Sequence, residues 1–159
     1  MVRASLDPKR NFGFLLGSVY RSYVRLFERH SAELGLTLTQ CRVLMFLYRN
    51  EGASQARVAG GVEADPMMMV RILDRMEQDA WIERRANPKD RRAYCLYLLE
   101  AATPVIKDIW RIADLTTAEL FSNFDSDDRN RLIELLERAQ KAAPPTNTSA
   151  GHWVQTPNT

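Results

Sequence analysis

This 159-residue chain has few of the residues that build metal and redox sites, with two cysteines and two histidines. Cys41 and Cys95 lie in apolar stretches and lack the CxxC spacing of a zinc or redox motif. His30 and His152 have no further ligand residues at metal-binding spacing, so no metal or cofactor site is predicted. A disulfide framework is not expected either, and this cysteine usage indicates a reducing cytoplasm.

Long apolar runs and enzyme motifs are also absent. No run approaches the roughly 18 residues of a membrane span, and the segment MVRASLDPKRNFG lacks the apolar core of a signal peptide. No HExxH, GxSxG, P-loop or paired-carboxylate site is present. We therefore expect neither a membrane protein nor an enzyme. With 45% hydrophobic and 26% charged residues, the composition is typical of one globular domain.

Neither sign of charge dominates, because the formal net charge is only +2. The distribution of charge is more informative. Residues 84–92, RRANPKDRR, carry five basic side chains and one acid, whereas residues 125–128 hold three acids in four positions. A basic run can mark a nucleic-acid contact, but it is more often only a solvated turn.

Two helices are predicted in the first third of the chain. The first spans Phe12–Leu34, where apolar residues recur every three to four positions. The second starts at Thr37, and Gln40 three residues later completes a capping box. Its apolar residues cover much of the helix circumference, so this helix is expected to lie centrally.

Two shorter helices follow. Ser54 caps a short third helix, SQARVAG, which Gly60 and Gly61 end. Asp65 supplies a capping oxygen and Pro66 a pre-set first residue for a fourth helix that runs to about Asp79.

The apolar spacing then changes from 3.6 towards 2. WIERR and AYCLYL are short β-leaning runs on either side of the turn signal ANPKDR, which predicts a hairpin with a long, basic tip. Helices resume with Thr103 as cap and Pro104 as first residue, and a last helix covers about Asp125–Lys141. Residues 143–159 are rich in Pro, Thr and Asn and are expected to form a loose tail.

Three consecutive methionines open the fourth helix, and they cannot all face one core because successive helical positions point about 100° apart. Residues at i, i+3, i+4 and i+7 form the predicted buried stripe, namely Met69, Ile72, Leu73 and Met76. The side chains left outside this stripe are Met67, Met68, Arg71 and Arg75.

A helix, a turn, a helix with free outer residues and a basic hairpin, in this order, are typical of a winged helix-turn-helix. Its second helix fits a major groove about 12 Å wide, where methionines can pack on thymine methyl groups and Arg71 can reach a guanine edge or a phosphate. The methionines can instead pack against other helices. A helical interaction module that never binds DNA is the alternative, but it leaves the basic hairpin without a role.

From about Asn11 to Gln140 the chain resembles the MarR family of winged-helix transcription regulators, nearest its SlyA-like branch. The matching segments are GLTLTQCRVLMFL, SQARVAGGVEADPMMMVRILDRMEQDAWIERR and the wing NPKDRRAYCLYL with its Asp-x-Arg element. The resemblance implies a mainly α-helical fold with a small β-hairpin wing, as a single domain over residues 11–142. Its winged helix-turn-helix covers about 37–99, between N- and C-terminal dimerisation helices at about 11–34 and 103–141.

The resemblance also implies how the fold binds double-stranded DNA. The reading helix, residues 65–79, enters the major groove, and the wing, residues 86–92, enters the minor groove, where Asp90 orients an inserted Arg92. The family's arginine in the reading helix falls on Arg71. The predicted DNA-binding residues are Ser54, Gln55, Met67, Met68, Arg71, Arg75, Lys89, Asp90, Arg91 and Arg92.

The chain departs from the family pattern at several positions. Met67 and Met68 replace small polar or proline residues, so the operator sequence cannot be transferred from relatives. Ala80 replaces the usual glycine after the reading helix, which weakens the predicted cap. Cys41 stands near the family's effector pocket, where relatives often carry tryptophan.

The first helix has more apolar surface than one reading head can cover. Phe12, Phe14, Leu15 and Tyr20 spread around it, and a partner chain is the economical explanation. The resemblance implies a homodimer, and its two-fold symmetry predicts a pseudo-palindromic operator. The alternative is a monomer whose first helix is buried on all sides.

Many relatives release DNA when a small aromatic or phenolic anion binds between the dimer helices and the reading head. The candidate ligand contacts are Arg21, Thr37, Cys41 and Arg42, and an arginine can hold a carboxylate through a charge-assisted pair. Each has an ordinary interpretation as well, such as a cap for Thr37 or a small hydrophobic residue for Cys41. A redox-responsive regulator acting through Cys41 is a further alternative, whereas Cys95 is expected to be buried.

Overall fold

The computed structural model describes residues 11–87 and 90–142, and it describes the side chains of these ranges except for residues 90–92. The expected loose tail at 143–159 therefore lies outside the described residues, as do Pro88 and Lys89 at the hairpin tip.

The first helix, α1, spans Phe12–Ser31 and continues into a 3-10 turn at Ala32–Leu34. Asn11 caps its start, where Oδ1 accepts a hydrogen bond from the Gly13 amide at 3.0 Å. Gly35 ends the turn with a φ of 62°, a conformation that costs glycine little. The predicted helix over 12–34 is thus confirmed, with a tightened last turn.

The second helix, α2, spans Leu38–Arg49 and starts with the predicted capping box. The Thr37 hydroxyl accepts a hydrogen bond from the Gln40 amide, and the Gln40 side chain accepts one from the Thr37 amide. The predicted central position is confirmed, because five residues of α2 are at most 6% exposed, namely Cys41, Val43, Leu44, Phe46 and Leu47.

A short strand, β1, covers Ala53–Ser54 and leads into α3 at Gln55–Gly61. Ser54 caps α3 as predicted, but β1 was not predicted from the sequence. Gly61 lies so close to α2 that an added Cβ would stand 2.1 Å from Cε2 of Phe46. Glycine is therefore required there by packing.

The fourth helix, α4, spans Pro66–Gln78 and has Asp65 as its N-cap, as predicted. Ala80 follows it with a φ of 56°, in the left-handed region where the family usually has glycine. An alanine there is strained by its Cβ.

The sheet has three antiparallel strands in the order β1-β3-β2 rather than a hairpin alone. The strand β2 spans Ile82–Asn87 and β3 spans Asp90–Leu98, with a register irregularity between Ala86 and Asn87. The predicted loop ANPKDR is therefore too long, because the pairing of Ala86 with Tyr94 and of Asn87 with Asp90 extends the ladder into it.

The fifth helix, α5, spans Ala102–Leu120, so the predicted start at Thr103 and Pro104 is wrong. The amides of Ala102 and Thr103 donate hydrogen bonds to the carbonyls of Leu99 and Glu100, and the buried Ala102 fixes this turn. Pro104 is tolerated because amides of the first turn have no intrahelical acceptor.

The last helix, α6, spans Ser126–Ala142, and the Asp128 amide donates to Oδ1 of Asp125 at 2.8 Å. The hydrophobic core collects side chains from α2, α3, α4, the sheet and α5, and α1 packs on α5. Among the described residues, no helix has both the length and the apolar character needed to cross a membrane.

Candidate nucleic-acid interface

The two sides of α4 differ in exposure. Met69, Leu73 and Met76 are fully buried, whereas Met67 and Met68 keep 74% and 53% of their surface exposed. The predicted division of the three methionines is therefore confirmed: one belongs to the core and two face outward.

The outward side of α4 carries a third apolar side chain that sequence reasoning missed. Val70 is 42% exposed and follows Met67 by three positions, so both lie on the same side of the helix. The helical spacing contained this signal. Ile72, predicted to belong to the buried stripe, is only half-buried, and Arg71 is exposed as predicted.

The cap of α4 holds this apolar surface in place. Oδ1 of Asp65 accepts hydrogen bonds from the amides of Met67 at 2.9 Å and of Met68 at 3.0 Å. Because the first turn is fixed by its cap and by Pro66, the two exposed methionines are displayed at an ordered helix start. A helix start of this shape is the part of a recognition helix that contacts base edges.

Ser54 and Gln55 lie at the start of α3 and are half-buried. Oγ of Ser54 accepts a hydrogen bond from the Arg57 amide at 3.3 Å, so the hydroxyl caps the helix. The Arg57 guanidinium in turn donates to Oδ1 of Asn50 at 3.0 Å, which ties α3 to the end of α2. The DNA contacts of Ser54 and Gln55 stay predictions.

Two of the five basic residues in the segment 84–92 bind acids of the protein itself. Arg84 pairs with Asp74 and Glu77 of α4. Arg85 pairs with Glu83 and lies over the Tyr97 ring, 4.1 Å from its centroid. The predicted DNA contacts of this segment therefore fall on its other three basic residues, which lie nearest the tip.

Those three, with the acid of the Asp-x-Arg element, fall on Lys89, Asp90, Arg91 and Arg92. Lys89 lies outside the described residues, and the side chains of the other three are not described. The backbone of 90–92 belongs to β3, so this part of the wing is strand. Their roles in DNA binding stay predictions.

Arg75, predicted to contact DNA, has a partner within its own helix region. Its Nε donates to Oδ2 of Asp79 at 2.9 Å, and both residues line an open cleft of about 660 Å³. The other residues lining the cleft are Leu34, Gly35, Leu36, Gln40 and Trp81. The structure therefore places Arg75 beside the α1–α2 connection, towards the C-terminal end of α4.

The four predicted ligand contacts lie on α1 and at the start of α2, and none lines this cleft. Arg21 is exposed, while the Thr37 hydroxyl accepts the capping hydrogen bond of α2. Arg42 lies over the Tyr20 ring, 5.7 Å from its centroid. Burial lowers the pKa of the Arg42 guanidinium, and the nearby Glu63 carboxylate opposes that shift.

Cys41 does not have the environment of a redox sensor. It is 2% exposed, and burial raises the pKa of its thiol to about 11, whereas a reactive thiol is exposed and has a lowered pKa. Cys95 is half-buried rather than buried, because the inward-facing residue of this part of β3 is Leu96. Among residues 11–87 and 90–142, no cluster of three or more His, Cys, Asp or Glu could hold a metal ion.

A short helix, a turn, a second helix with an exposed apolar start, and a two-stranded extension define a winged helix-turn-helix protein. Residues 36–94 match the MarR family model. The chain is 26% identical over 129 residues to the uncharacterized HTH-type transcriptional regulator YkoM of Bacillus subtilis, covering 77% of this chain and 84% of that protein. The structure of wild-type Escherichia coli MarR in its apo form superposes with a TM-score of 0.77 at 23% identity, covering 81% and 96% of the two chains.

Two further solved structures share the fold. A mutant of Escherichia coli MarR complexed with operator DNA has a TM-score of 0.69 at 22% identity and covers 86% of this chain and 99% of its own. Bordetella bronchiseptica BpsR, whose DNA binding is regulated by 6-hydroxynicotinic acid, has a TM-score of 0.68 at 21% identity, with coverages of 80% and 97%.

The chain therefore resembles the MarR family, with the family-model match confined to residues 36–94, and it is a DNA-binding transcriptional regulator. The family and fold predicted from the sequence are thereby confirmed.

Proposed function

We propose that this regulator acts as a homodimer that binds a pseudo-palindromic operator in double-stranded DNA, with one domain of residues 11–142 in each protomer. The observation that carries the proposal is the exposed apolar start of α4, opposite a fully buried stripe on the same helix. Neighbouring exposed apolar side chains at a helix start are typical of an interaction surface, and a major groove offers them thymine methyl groups.

In the major groove, Met67, Met68 and Val70 pack on the methyl groups of thymines, and Arg71 binds a guanine edge or a phosphate. Val70 extends the apolar surface by one further position. The two methionines are unbranched and adaptable, so they follow the groove surface without a fixed hydrogen-bonding pattern. This arrangement favours an operator half-site that contains thymine.

In the minor groove, Arg92 is inserted and Asp90 orients it, with Lys89 and Arg91 on the phosphates. The support is the resemblance to the MarR family. In addition, Arg84 and Arg85 pair with acids of the protein itself and are not assigned to DNA. The narrow minor groove of A·T-rich DNA has the enhanced negative potential that attracts such an arginine.

The dimer is formed by α1 and α6. On α1, apolar side chains are exposed to between 46% and 67%, namely Phe12, Phe14, Leu15, Leu16, Val19 and Tyr20. On α6, Ile133, Leu135 and Leu136 are exposed to between 36% and 46%. Exposed apolar surface on both terminal helices is typical of a subunit interface.

We further infer that a small aromatic anion releases the protein from DNA. BpsR, whose regulator is an aromatic acid, supports this class of ligand. Among the predicted contacts Arg42 is the strongest candidate for the cation, because it is partly buried beside the Tyr20 ring. Arg21 stays a further candidate, while Thr37 and Cys41 already serve in a cap and in the core.

The protein is not an enzyme in this proposal, and it works in the cytoplasm, where its two cysteines stay reduced. The placement nearest the SlyA-like branch, made from the sequence, stays a prediction. The alternative, a helical interaction module, leaves the basic residues of the hairpin without a role.

The test is a binding selection from a pool of randomised duplexes at two salt concentrations, with the full chain. We expect one enriched palindrome, with thymines at the position of α4 and steep salt dependence. In the Arg92→Ala variant the logarithmic salt slope falls by about one unit. Binding with no enriched sequence, or no binding at either salt concentration, contradicts the proposal.

A further inference from the structure

Arg84 connects the wing to the reading helix through three contacts. Its Nη2 lies 2.6 Å from Oδ1 of Asp74, its Nη1 pairs with Oε2 of Glu77, and its backbone amide donates to Oε1 of Glu77 at 3.2 Å. Arg84 belongs to β2, whereas both acids belong to α4. The contact thus joins the two elements that the proposed function assigns to the two grooves.

The Arg84 side chain is 17% exposed, while those of Asp74 and Glu77 are 52% and 40% exposed. A planar guanidinium that binds two carboxylates through separate nitrogens is held in one orientation, which a lysine ammonium cannot reproduce. Because the backbone amide of Arg84 shares the Glu77 carboxylate, the strand itself is fixed and not only the side chain.

A second arginine–carboxylate pair in the same strand offers a comparison. Arg85 binds Glu83 two residues away, with 2.8 Å between its Nε and Oε1 of Glu83, and it stacks on Tyr97. Both members of that pair belong to β2 and they are 57% and 38% exposed. This ion pair stays within β2 and does not reach α4, so it serves as a matched control.

The position of Asp74 on the outward side of α4 is unfavourable for a helix that binds DNA. Asp74 is exposed and lies four positions after Val70, one turn further along the outward side of α4. A carboxylate there repels DNA phosphates unless a cation neutralises it. Its pairing with Arg84 supplies that cation and so neutralises the repulsion.

We propose that Arg84 is a positioning residue that fixes the wing to α4 through Asp74 and Glu77, so that both elements bind DNA as one rigid unit. This inference rests on the proposed function. Arg84 itself donates its hydrogen bonds to the protein and does not contact DNA in this proposal.

The first test uses the sign of the change in affinity. If Asp74 acts only as a charge, Asp74→Ala removes a repulsion and tightens binding to the selected operator. In our proposal Asp74→Ala and Arg84→Met each weaken binding by about tenfold, since coupled contacts of this kind are worth about that factor. The control Glu83→Ala removes a carboxylate of β2 that does not bind Arg84, and it leaves affinity unchanged or higher. Arg84→Lys recovers only part of the loss.

The second test measures coupling between the wing and the helix. The quantity measured is the factor by which Arg92→Ala lowers operator affinity, and we expect this factor to be largest when Arg84 is present. In the Arg84→Met background the wing is no longer held, so Arg92→Ala lowers affinity by a smaller factor. In the control Arg85→Met background, Arg92→Ala keeps its full factor. Thermal unfolding midpoints of all variants separate this coupling from a loss of folded protein, because misfolding reduces every affinity by one common factor.

The outcomes separate this inference from the proposed function. If the wild-type protein selects no operator, the proposed function is overturned and the positioning role with it. If the wild type binds and Arg92→Ala weakens it, but Asp74→Ala tightens binding or the Arg92→Ala factor is equal in all backgrounds, only the positioning role of Arg84 is overturned.

Discussion

The winged helix-turn-helix and the two terminal helices differ in how much of their apolar surface is buried within one chain. Within the winged helix-turn-helix, the buried apolar side chains of α2 and of the inner side of α4 are 0–6% exposed, and the outward start of α4 carries three exposed apolar side chains close together. The helix α1, by contrast, buries only Phe27 and Ser31 over its 20 residues, and α6 buries none of its own. The first region folds on itself, whereas the second is complete only with a partner copy.

Exposed hydrophobic residues have two different roles in this protein. On α1 and α6 the exposed residues spread over two helices, as a subunit interface requires. On α4 they are confined to one turn, bounded by the Asp65 cap and by arginines. The size and neighbours of a patch, rather than its exposure alone, distinguish a dimer interface from a DNA-reading surface.

The largest expected effect comes from placing charge in the α1–α6 surface. Leu15→Arg together with Leu136→Arg converts the protein to a monomer, because each buried leucine contributes roughly 1.5–3 kcal/mol and two of each are lost per dimer. Sedimentation equilibrium measures the change. The control Tyr94→Arg, at a 55% exposed side chain of β3, keeps the oligomeric state. A dimer that survives the double substitution would place the interface elsewhere.

A smaller effect is expected from a substitution inside the winged helix-turn-helix. Gly61→Ala forces a Cβ to within 2.1 Å of the Phe46 ring, and overpacking of this kind costs about 1–3 kcal/mol of unfolding free energy. Its neighbour supplies the control, since nothing lies within 4 Å of a Cβ added at Gly60. Gly60→Ala therefore stabilises α3 by about 0.5–1 kcal/mol. Chemical denaturation measures both, and equal effects at the two glycines would contradict the described packing.

The end of the reading helix offers a gain of stability. Ala80 has a φ of 56°, so Ala80→Gly relieves a conformation that costs alanine roughly 1–2 kcal/mol, partly offset by the entropy of glycine. We expect a net stabilisation of about 0.5–1 kcal/mol. The control Ala56→Gly, at an exposed position inside α3, has the opposite sign. Destabilisation by Ala80→Gly would mean that the left-handed cap is not formed in solution.

Local signals in the sequence were sufficient for much of the fold. The Thr37–Gln40 capping box, the Asp65–Pro66 start and the spacing of Met69, Leu73 and Met76 each depend on residues within one or two turns. Such short-range features can be recognised without knowledge of the tertiary structure.

Features that depend on distant residues were missed. β1 is only two residues long and exists because Ala53 and Ser54 pair with Leu96 and Cys95. The early start of α5 depends on the burial of Ala102. In the candidate site, a run of five basic residues gave no sign that Arg84 pairs with Asp74, ten residues earlier in the chain. The sequence shows how many basic side chains a segment carries. Whether such a side chain can bind DNA depends on whether it already pairs with an acid of the folded protein.

The most direct measurement of the central claim replaces thymine by uracil at the operator positions facing α4, which removes only the methyl groups. We expect each replacement to weaken wild-type binding by about 0.8 kcal/mol, the value of one buried methyl group. In the Met67→Ala, Met68→Ala double variant the same replacements should have little effect, because the apolar partners are gone. Equal losses in both proteins, or no loss in the wild type, would contradict the assignment of the exposed methionines to DNA recognition.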